Sequence, residues 1–251
     1  MTPRTILLTG ASGRFGKIMT RHFLAAGDLV IGTARSAESM ARMIDDYAGQ
    51  RFEGVLTDLA DADAPARLCS ELAARGLAPD CLVNNARSLA FLKVQDNGIV
   101  SRENFVNEYL MDVVVPYELT MAIANQPESR LARVVNIGSQ YGSAAFNLSL
   151  YDRPDQQAPL HYGVAKAALV QLTKELAIRL AAREIKVNCV AFGGIDGRVD
   201  DAFKARYAKL CPTGRMLKED EVPGPVDMLL SQGAGGITGH TIMADGGWTL
   251  W

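Results

Sequence analysis

Short apolar runs alternate along this chain with longer amphipathic stretches. The apolar runs predict seven strands, at 5–8, 29–33, 54–56, 81–83, 133–137, 186–191 and 241–244. The amphipathic stretches predict helices at 17–26, 36–47, 64–75, 103–125 and 164–182. Strand–helix alternation of this length is typical of a parallel sheet with helices on both faces. We therefore predict one α/β domain over residues 1–251, built on a doubly wound parallel sheet.

Two segments interrupt this alternation. Residues 140–161 contain Pro154 and Pro159, and residues 192–236 contain glycine, proline and many charges. In a doubly wound sheet, ligands bind beyond the carboxyl ends of the strands. Because long loops at such an edge often carry function, we predict that residues 192–236 form a substrate loop or lid.

The composition is that of a globular protein, with 48% hydrophobic and 22% charged residues in a chain of 251. The 26 basic and 28 acidic residues leave a net charge of −2, which argues against a nucleic-acid binder that depends on bulk positive charge. No apolar run is long enough to span a bilayer, and no leader pattern opens the chain. The four cysteines are widely spaced, with no Cys-x-x-Cys pair. We therefore expect no metal site, no membrane partner and a cytoplasmic location.

The first predicted strand runs into a glycine-rich turn that precedes a helix. Glycines let the backbone approach a pyrophosphate, which then lies at the positive N-terminus of the helix. This is the connection in which a Rossmann fold holds its dinucleotide. We assign to it Gly10, Ser12, Gly13, Arg14, Phe15 and Gly16. Arg14 stands where a glycine is expected, so it is either a solvated helix residue or a phosphate ligand.

The second predicted strand ends in Ala34-Arg35-Ser36. An NAD-preferring site usually carries Asp or Glu here, which binds the ribose 2′-hydroxyl. A carboxylate repels a 2′-phosphate, whereas a guanidinium and a hydroxyl bind one. The sequence therefore favours NADP over NAD, the alternative being that Arg35 is an exposed loop residue. Residues 1–42 carry six basic and two acidic residues, a local charge suited to one small polyanion.

Tyr162 and Lys166 begin the strongest helical pattern. Side chains four residues apart share one helix face, so the phenol and the ammonium can point into one site. A free phenol titrates near pH ~10, and a nearby cation stabilises its phenolate. This spacing is common by chance and decides nothing alone. Ser139 ends the fifth predicted strand and can hydrogen-bond a substrate carbonyl.

These motifs, in this order, resemble the short-chain dehydrogenase/reductase family over essentially the whole chain. The turn 9–16 resembles the family's Thr-Gly-x-x-x-Gly-x-Gly motif, and Ser139, Tyr162 and Lys166 resemble its catalytic residues. Further matches are Asn84-Asn85-Ala86, 185–188, 192–195 and Asp245-Gly246-Gly247. The resemblance implies cofactor contacts by Asp58, Leu59, Asn85, Ala86, Arg87, Tyr162, Lys166, Phe192, Gly193 and Ile195.

The same resemblance implies hydride transfer between NADP(H) and a carbonyl or alcohol. Tyr162 passes a proton to the carbonyl oxygen, and Ser139 holds that oxygen. Lys166 favours the phenolate and binds the cofactor ribose.

Several positions depart from the family pattern. Alignment on Pro116 puts Asp112 in place of the usual catalytic Asn, although a two-residue shift puts Val114 there. Asp112 can still carry a proton relay through water. Arg87 replaces the glycine after Asn-Asn-Ala, and it either meets a phosphate or an anionic substrate or points to solvent. Phe192 replaces a customary proline.

Ser139 and Tyr162 are farther apart than is usual in the family. The excess lies in residues 141–161, which we interpret as a substrate-specificity insertion. A surface loop or an oligomer contact is the alternative.

Two subgroups of the family are similar to this chain. The cofactor turn and Ala34-Arg35-Ser36 resemble those of pteridine reductases. Residues 138–142, 193–216 and 245–251 resemble the flagellin-modification dehydrogenases of nonulosonic-acid sugar synthesis. We favour a sugar or nucleotide-sugar substrate, with a pterin or another small carbonyl as the alternative. Four arginines, taken together, are candidate ligands for an anionic or phosphorylated substrate: Arg87, Arg198, Arg206 and Arg215.

Two expectations concern partners and class. The apolar ending Trp248-Thr249-Leu250-Trp251 predicts a subunit interface, in line with the dimers and tetramers of the family. A non-catalytic NADP sensor on the same fold is the alternative from another class, and it is disfavoured because this chain keeps both Tyr162 and Lys166.

Overall fold

The structure, a computed structural model, describes residues 3–197 and 199–251. Its centre is a seven-stranded sheet in the order β3-β2-β1-β4-β5-β6-β7, with every neighbouring pair parallel. The strands are β1 (Thr5–Leu8), β2 (Leu29–Ala34), β3 (Phe52–Leu56), β4 (Cys81–Asn84), β5 (Arg133–Ser139), β6 (Lys186–Phe192) and β7 (Thr241–Ala244). This order confirms the predicted doubly wound, Rossmann-type sheet.

The helices cover both faces of this sheet. They are α1 (Arg14–Ala25), α2 (Ala37–Asp46), α3 (Ala64–Ala74), α4 (Arg102–Tyr109), α5 (Val115–Ala124), α6 (Pro154–Gln157), α7 (Leu160–Leu180), α8 (Asp201–Leu210) and α9 (Pro223–Leu230). Successive strand residues point to opposite faces. Ile6 and Leu8 therefore pack in one core with α1 and α9, whereas Leu7 packs in the other with α3, α5 and α7.

The helix predicted over 103–125 is interrupted. A π turn at Leu110–Val114 separates α4 from α5, and the Val115 N–H donates to the carbonyl of Leu110, five residues back. Pro116 has no N–H with which to bond the carbonyl of Asp112 in an α-helical ladder, and its ring crowds that carbonyl. The extra residue of the turn relieves this conflict and directs Asp112 into the protein, where it is 2% exposed.

The two segments that interrupt the pattern are more ordered than loops. Residues 192–236 carry α8 and α9, and α6 lies within 141–161. Leu150, Tyr207 and Trp248 join the two segments and the C-terminus in a third, smaller core. The rings of Tyr207 and Trp248 stack with centroids 4.4 Å apart. Trp248 is 6% exposed within its own chain, so it does not supply the exposed apolar surface that the predicted subunit interface needs.

Other features of the fold bear on possible partners. Among the described helices, none has the length and apolar character needed to cross a membrane. Within residues 3–197 and 199–251, His, Cys, Asp and Glu side chains form no cluster of three or more that could hold a metal ion.

Candidate active site

A cleft of about 610 Å³ opens beside the carboxyl ends of β1, β2, β4, β5 and β6. Most of the predicted site residues line it: Gly10, Ser12, Gly13, Arg14, Phe15, Arg35, Asp58, Leu59, Asn85, Ala86, Arg87, Ser139, Tyr162, Lys166, Phe192, Gly193 and Ile195. Gly16, Ser36 and Asp112 lie just behind this lining. Sequence reasoning missed further lining residues that carry no motif of their own: Thr33, Thr57, Ala60, Ser88, Leu89, Ala90, Phe91 and Met111.

The glycine turn is held tightly against the loop after β4. Gly10 has φ +63°, and a Cβ there would lie 2.8 Å from the Cα of Ala86. The Thr9 hydroxyl accepts hydrogen bonds from the N–H groups of Asn85 and Ala86, both at 2.9 Å. A Cβ on Gly16 would overlap the Gly10 carbonyl. Gly16 thus allows α1 to start close behind the turn, with its N-terminus directed at the cleft.

The Arg14 side chain is held by contacts within its own chain. Its Nε donates to Glu219 at 2.6 Å, and its Nη2 donates to the Asp196 carbonyl. The interpretation of Arg14 as a solvated helix residue is therefore wrong, since its side chain is only 20% exposed. The side chain ties the glycine turn to the segment 192–236.

The end of β2 presents one cation and one hydroxyl. Arg35 is exposed, lines the cleft and forms no ion pair in the described part of the chain. Ser36 is the N-cap of α2, where its Oγ accepts from the Ser39 N–H at 3.2 Å. The Ser36 O–H can still donate, so this corner can bind a phosphate through charge and hydrogen bonds.

Three of the four predicted catalytic residues, Ser139, Tyr162 and Lys166, line the same cleft. Ser139 ends β5, and its Oγ accepts from the Tyr141 N–H at 3.2 Å, which leaves its O–H to donate. Tyr162 and Lys166 lie in the first two turns of α7, and the Lys166 Nζ is 5.7 Å from the centroid of the Tyr162 ring.

Lys166 is buried and held by two acceptors. Its Nζ donates to Asp112 Oδ1 at 3.0 Å and to the Ile137 carbonyl at 2.9 Å. An ammonium has three N–H donors, so one remains for a ligand in the cleft. Asp112 does not line the cleft, and it contacts the cleft wall through Lys166.

A second buried acid, which sequence reasoning missed, lies beside this pair. Glu108 of α4 is 1% exposed. Burial raises its pKa to about 7, the negative charge of Asp112 adds to the rise, and Arg87 and Lys166 oppose it. Glu108 comes from the polar stretch 102–109, so the sequence pattern does not show its burial.

Arg87 is the cation nearest the candidate proton donor. Its guanidinium lies 4.7 Å from the centroid of the Tyr162 ring, and it forms no ion pair with any described carboxylate. The other arginines proposed as anion ligands differ. Arg206 pairs with Asp152, and Arg215 makes a two-pronged pair with Glu221 at 2.7 and 2.8 Å. Both are engaged in the fold, and Arg198 lies outside the described residues.

The insertion 141–161 contributes no side chain to the lining of the cleft. Tyr141 stacks on Phe146 with ring centroids 3.8 Å apart, and the hydroxyls of Tyr141 and Tyr151 are 3.1 Å apart. Burial raises the pKa of both phenols, so they pair as neutral groups. Tyr151 also packs edge-on against Phe203 of α8. The insertion thus supports α8, beside a smaller pocket of about 280 Å³.

The end of β6 closes one side of the cleft. Phe192, which replaces the family's proline, packs edge-to-face on Phe15 with centroids 5.6 Å apart. A Cβ on Gly193 would lie 2.8 Å from the Asp245 Cα. Ile195 pairs with Leu217 as an isolated parallel bridge. These contacts fix the strand end relative to α1.

Comparison with known proteins agrees with this geometry. A family profile described as Enoyl-(Acyl carrier protein) reductase matches residues 10–249. The chain belongs to the short-chain dehydrogenase/reductase family. The 3-oxoacyl-[acyl-carrier-protein] reductase FabG of Haemophilus influenzae is 30% identical over 255 residues, covering 98% of each protein.

Solved short-chain dehydrogenase structures share the fold. A short-chain dehydrogenase from Leptospira borgpetersenii with bound NAD⁺ is 26% identical and superimposes with a TM-score of 0.85, covering 98% of this chain and 93% of its own. An oxidoreductase of the short-chain family from Burkholderia thailandensis is 28% identical with a TM-score of 0.82, covering 100% and 94%. The protein is thus an oxidoreductase of this family with an NAD(P)-binding fold.

The residues present fit a nicotinamide dinucleotide. The glycine turn leaves no room for a Cβ at Gly10 or Gly16, which lets a pyrophosphate approach the start of α1. Lys166 keeps one N–H for a ribose hydroxyl, and Arg35 lines the cleft directly after β2.

Proposed function

We propose that this dehydrogenase uses NADP(H) to interconvert a carbonyl and an alcohol on a small anionic substrate, a phosphorylated or nucleotide-linked sugar. The observation that carries the proposal is the shared wall of Ser139, Tyr162 and Lys166 beside the glycine turn. The cofactor, when bound, supplies the hydride. Each residue of the wall then has a distinct task.

Ser139 donates its O–H to the substrate oxygen and holds it near Tyr162. The Tyr162 phenol gives its proton to that oxygen as the carbonyl is reduced, and takes it back in the reverse direction. Lys166 stabilises the phenolate by its charge and binds the ribose with its remaining N–H. Asp112 holds the ammonium in place at 3.0 Å.

The preference for NADP(H) is supported by Arg35 and Ser36. In the described residues no carboxylate competes for Arg35, and the Ser36 O–H remains free to donate. Titration calorimetry with NADPH and NADH tests this step. We expect tighter binding of NADPH, and tighter binding of NADH would overturn the preference.

The charge of the substrate is supported by Arg87, which lies against Tyr162 without an acidic partner in residues 3–197 and 199–251. An anionic group bound there gains a charge-assisted hydrogen bond. Arg87→Gln should raise KM for an anionic substrate while leaving the Kd of NADPH unchanged. Arg42→Gln, at an exposed arginine on α2, is the matched control.

A second candidate substrate follows from the named relatives. The Haemophilus influenzae protein, 30% identical across its whole length, is a 3-oxoacyl-[acyl-carrier-protein] reductase, so a 3-oxoacyl thioester belongs in any substrate panel. NADPH oxidation with nucleotide sugars, sugar phosphates, 3-oxoacyl thioesters and dihydropterins separates the possibilities. Turnover of a thioester or a pterin without turnover of any sugar would refute the sugar assignment.

The same panel tests catalysis itself. Tyr162→Phe removes the proton donor and keeps the ring, so we expect NADPH binding without turnover. A wild-type protein that binds NADPH and turns over none of the panel, with the variant indistinguishable from it, would instead favour the cofactor sensor.

A further inference from the structure

Glu108 is a buried acid whose carboxylate has no partner. It is 1% exposed, and neither of its oxygens accepts or donates a hydrogen bond within residues 3–197 and 199–251. An ionised carboxylate in such a place is strongly disfavoured. A protonated one is a neutral group that can give its proton away.

Asp112 follows Glu108 by one helical turn. Its Oδ1 is bound by Lys166, whereas its Oδ2 is buried and has no partner in the described structure. Asp112 lies in the π turn that follows α4. Both acids are buried, and the charges of Asp112 and Lys166 both act on the Glu108 carboxyl. Each acid keeps at least one oxygen without a partner in the described residues.

The surroundings of Glu108 set its proton affinity. Asp112 is the acidic neighbour, and Lys166 of α7 and Arg87 of the loop after β4 are the basic ones. His161 of α7 lies against Phe105 of α4, the helix that carries Glu108. The Nε2 of His161 is hydrogen-bonded to the Phe91 carbonyl at 2.7 Å. Burial outweighs the two cations and raises the pKa of Glu108 to about 7, where an acid both holds and releases protons at neutral pH.

We propose that Glu108 stores the proton that Asp112 hands to Lys166 after each carbonyl reduction. This inference rests on the proposed reductase activity. Glu108 acts through Asp112, so it is a positioning residue for proton supply and not a catalytic one.

The proton balance closes in five transfers. The Tyr162 O–H breaks and its proton joins the reduced carbonyl oxygen. A Lys166 N–H breaks and restores the phenol. Glu108 gives its proton to the Asp112 carboxylate through an intervening water, and Asp112 passes a proton to the amine left on Lys166. Water from the solvent returns one proton to Glu108, so each reduction consumes one solvent proton.

The first test needs no substrate. Infrared spectra of the cofactor-free protein, recorded across pH 5–9, report the C=O stretch of a protonated carboxyl. We expect a carboxyl that titrates near pH 7, that is absent in Glu108→Gln, and that persists in Glu103→Gln, an exposed glutamate of the same helix. Asp112→Asn should lower its midpoint by removing a negative charge, and Lys166→Met should raise it.

The second test is the pH dependence of NADPH oxidation with the carbonyl substrate that the panel identifies. The wild type should reduce the substrate about tenfold faster than Glu108→Gln at pH 6. This is smaller than the ~10²–10⁴-fold effect of general acid catalysis, because Glu108 only supplies protons to that step. The two rates should converge above pH 8, where Glu108 is ionised and the store is empty. Glu103→Gln should follow the wild type throughout.

Two outcomes would overturn the inference. One is the lack of any carboxyl that titrates near pH 7 and disappears with Glu108. The other is a Glu108→Gln rate lowered by the same factor at every pH, which indicates a purely structural role. If the carboxyl titration is observed as expected but no substrate of the panel is turned over, the proposed substrates are refuted, whereas the proposed role of Glu108 as a proton store is not.

Discussion

Replacing Glu108 by Gln should change how the stability of the protein depends on pH. In the folded protein the pKa of Glu108 is raised from 4.5 to about 7, because burial penalises its charged form. Between these pH values the folded chain keeps a proton that the unfolded chain has lost. The free energy of unfolding of the wild type therefore falls as the pH rises through this interval.

The size of the effect follows from the interval. At about 1.4 kcal/mol for each pH unit, a rise from 4.5 to about 7 corresponds to about 3 kcal/mol. The stabilising contribution is fully present below pH 4.5 and is lost once the pH has passed about 7. Glutamine is neutral throughout, so the variant escapes this loss. Its buried amide adds a cost that is the same at every pH.

The assay is urea unfolding at pH 4.5 and pH 8, at one protein concentration. The free energy of unfolding of Glu108→Gln minus that of the wild type should increase by about 3 kcal/mol between the two conditions. In a thermal scan this is a relative gain of about 6–12 °C for a chain of this size. Glu103→Gln should show a difference that does not change with pH. A Glu108→Gln difference that is equally constant would refute the argument, since it would mean that folding does not raise the pKa of Glu108.

Three further predictions concern the cofactor site and the surface. Arg35→Ala should weaken NADPH binding about tenfold or more, through loss of a charged hydrogen bond of roughly 1.5–3 kcal/mol, and should leave NADH binding unchanged; calorimetry that finds both affinities equally reduced would contradict this. Gly16→Ala should abolish NADPH binding and lower the thermal midpoint, because its Cβ would overlap the Gly10 carbonyl; Gly224→Ala, where a Cβ meets nothing within 4 Å, is the control. Leu250 and Trp251 are 78% and 79% exposed, so we expect them to pack against another subunit, and light scattering should report a dimer or tetramer that a chain ending at Thr249 no longer forms; a wild-type monomer would refute this.

The sheet could be predicted from sequence because its strands are buried on both faces and therefore appear as continuous apolar runs. Ser139, Tyr162 and Lys166 were proposed from their resemblance to the family's motifs, since the four-residue spacing of Tyr162 and Lys166 alone decides nothing, and all three line the cleft. The π turn could not be predicted, since Pro116 is compatible with the first turn of a new helix as well as with a break in one long helix.

The charged groups were harder to place for a different reason. Whether an arginine is free depends on its partner, and the partner of Arg206 lies 54 residues away at Asp152. Glu108 is one of several polar residues in α4, and only its packing against α7 and Lys166 makes it unusual. Sequence periodicity reports which face is apolar, and it contains no signal for a single acid buried on that face.

The Arg14 side chain connects the glycine turn to the segment 192–236, because it donates hydrogen bonds to Glu219 and to the Asp196 carbonyl. Any change of Arg14 that accompanies the binding of one ligand therefore alters the free energy of binding the other. Such coupling is reciprocal, so a cofactor that tightens the binding of substrate is itself bound more tightly by the same factor when substrate is present.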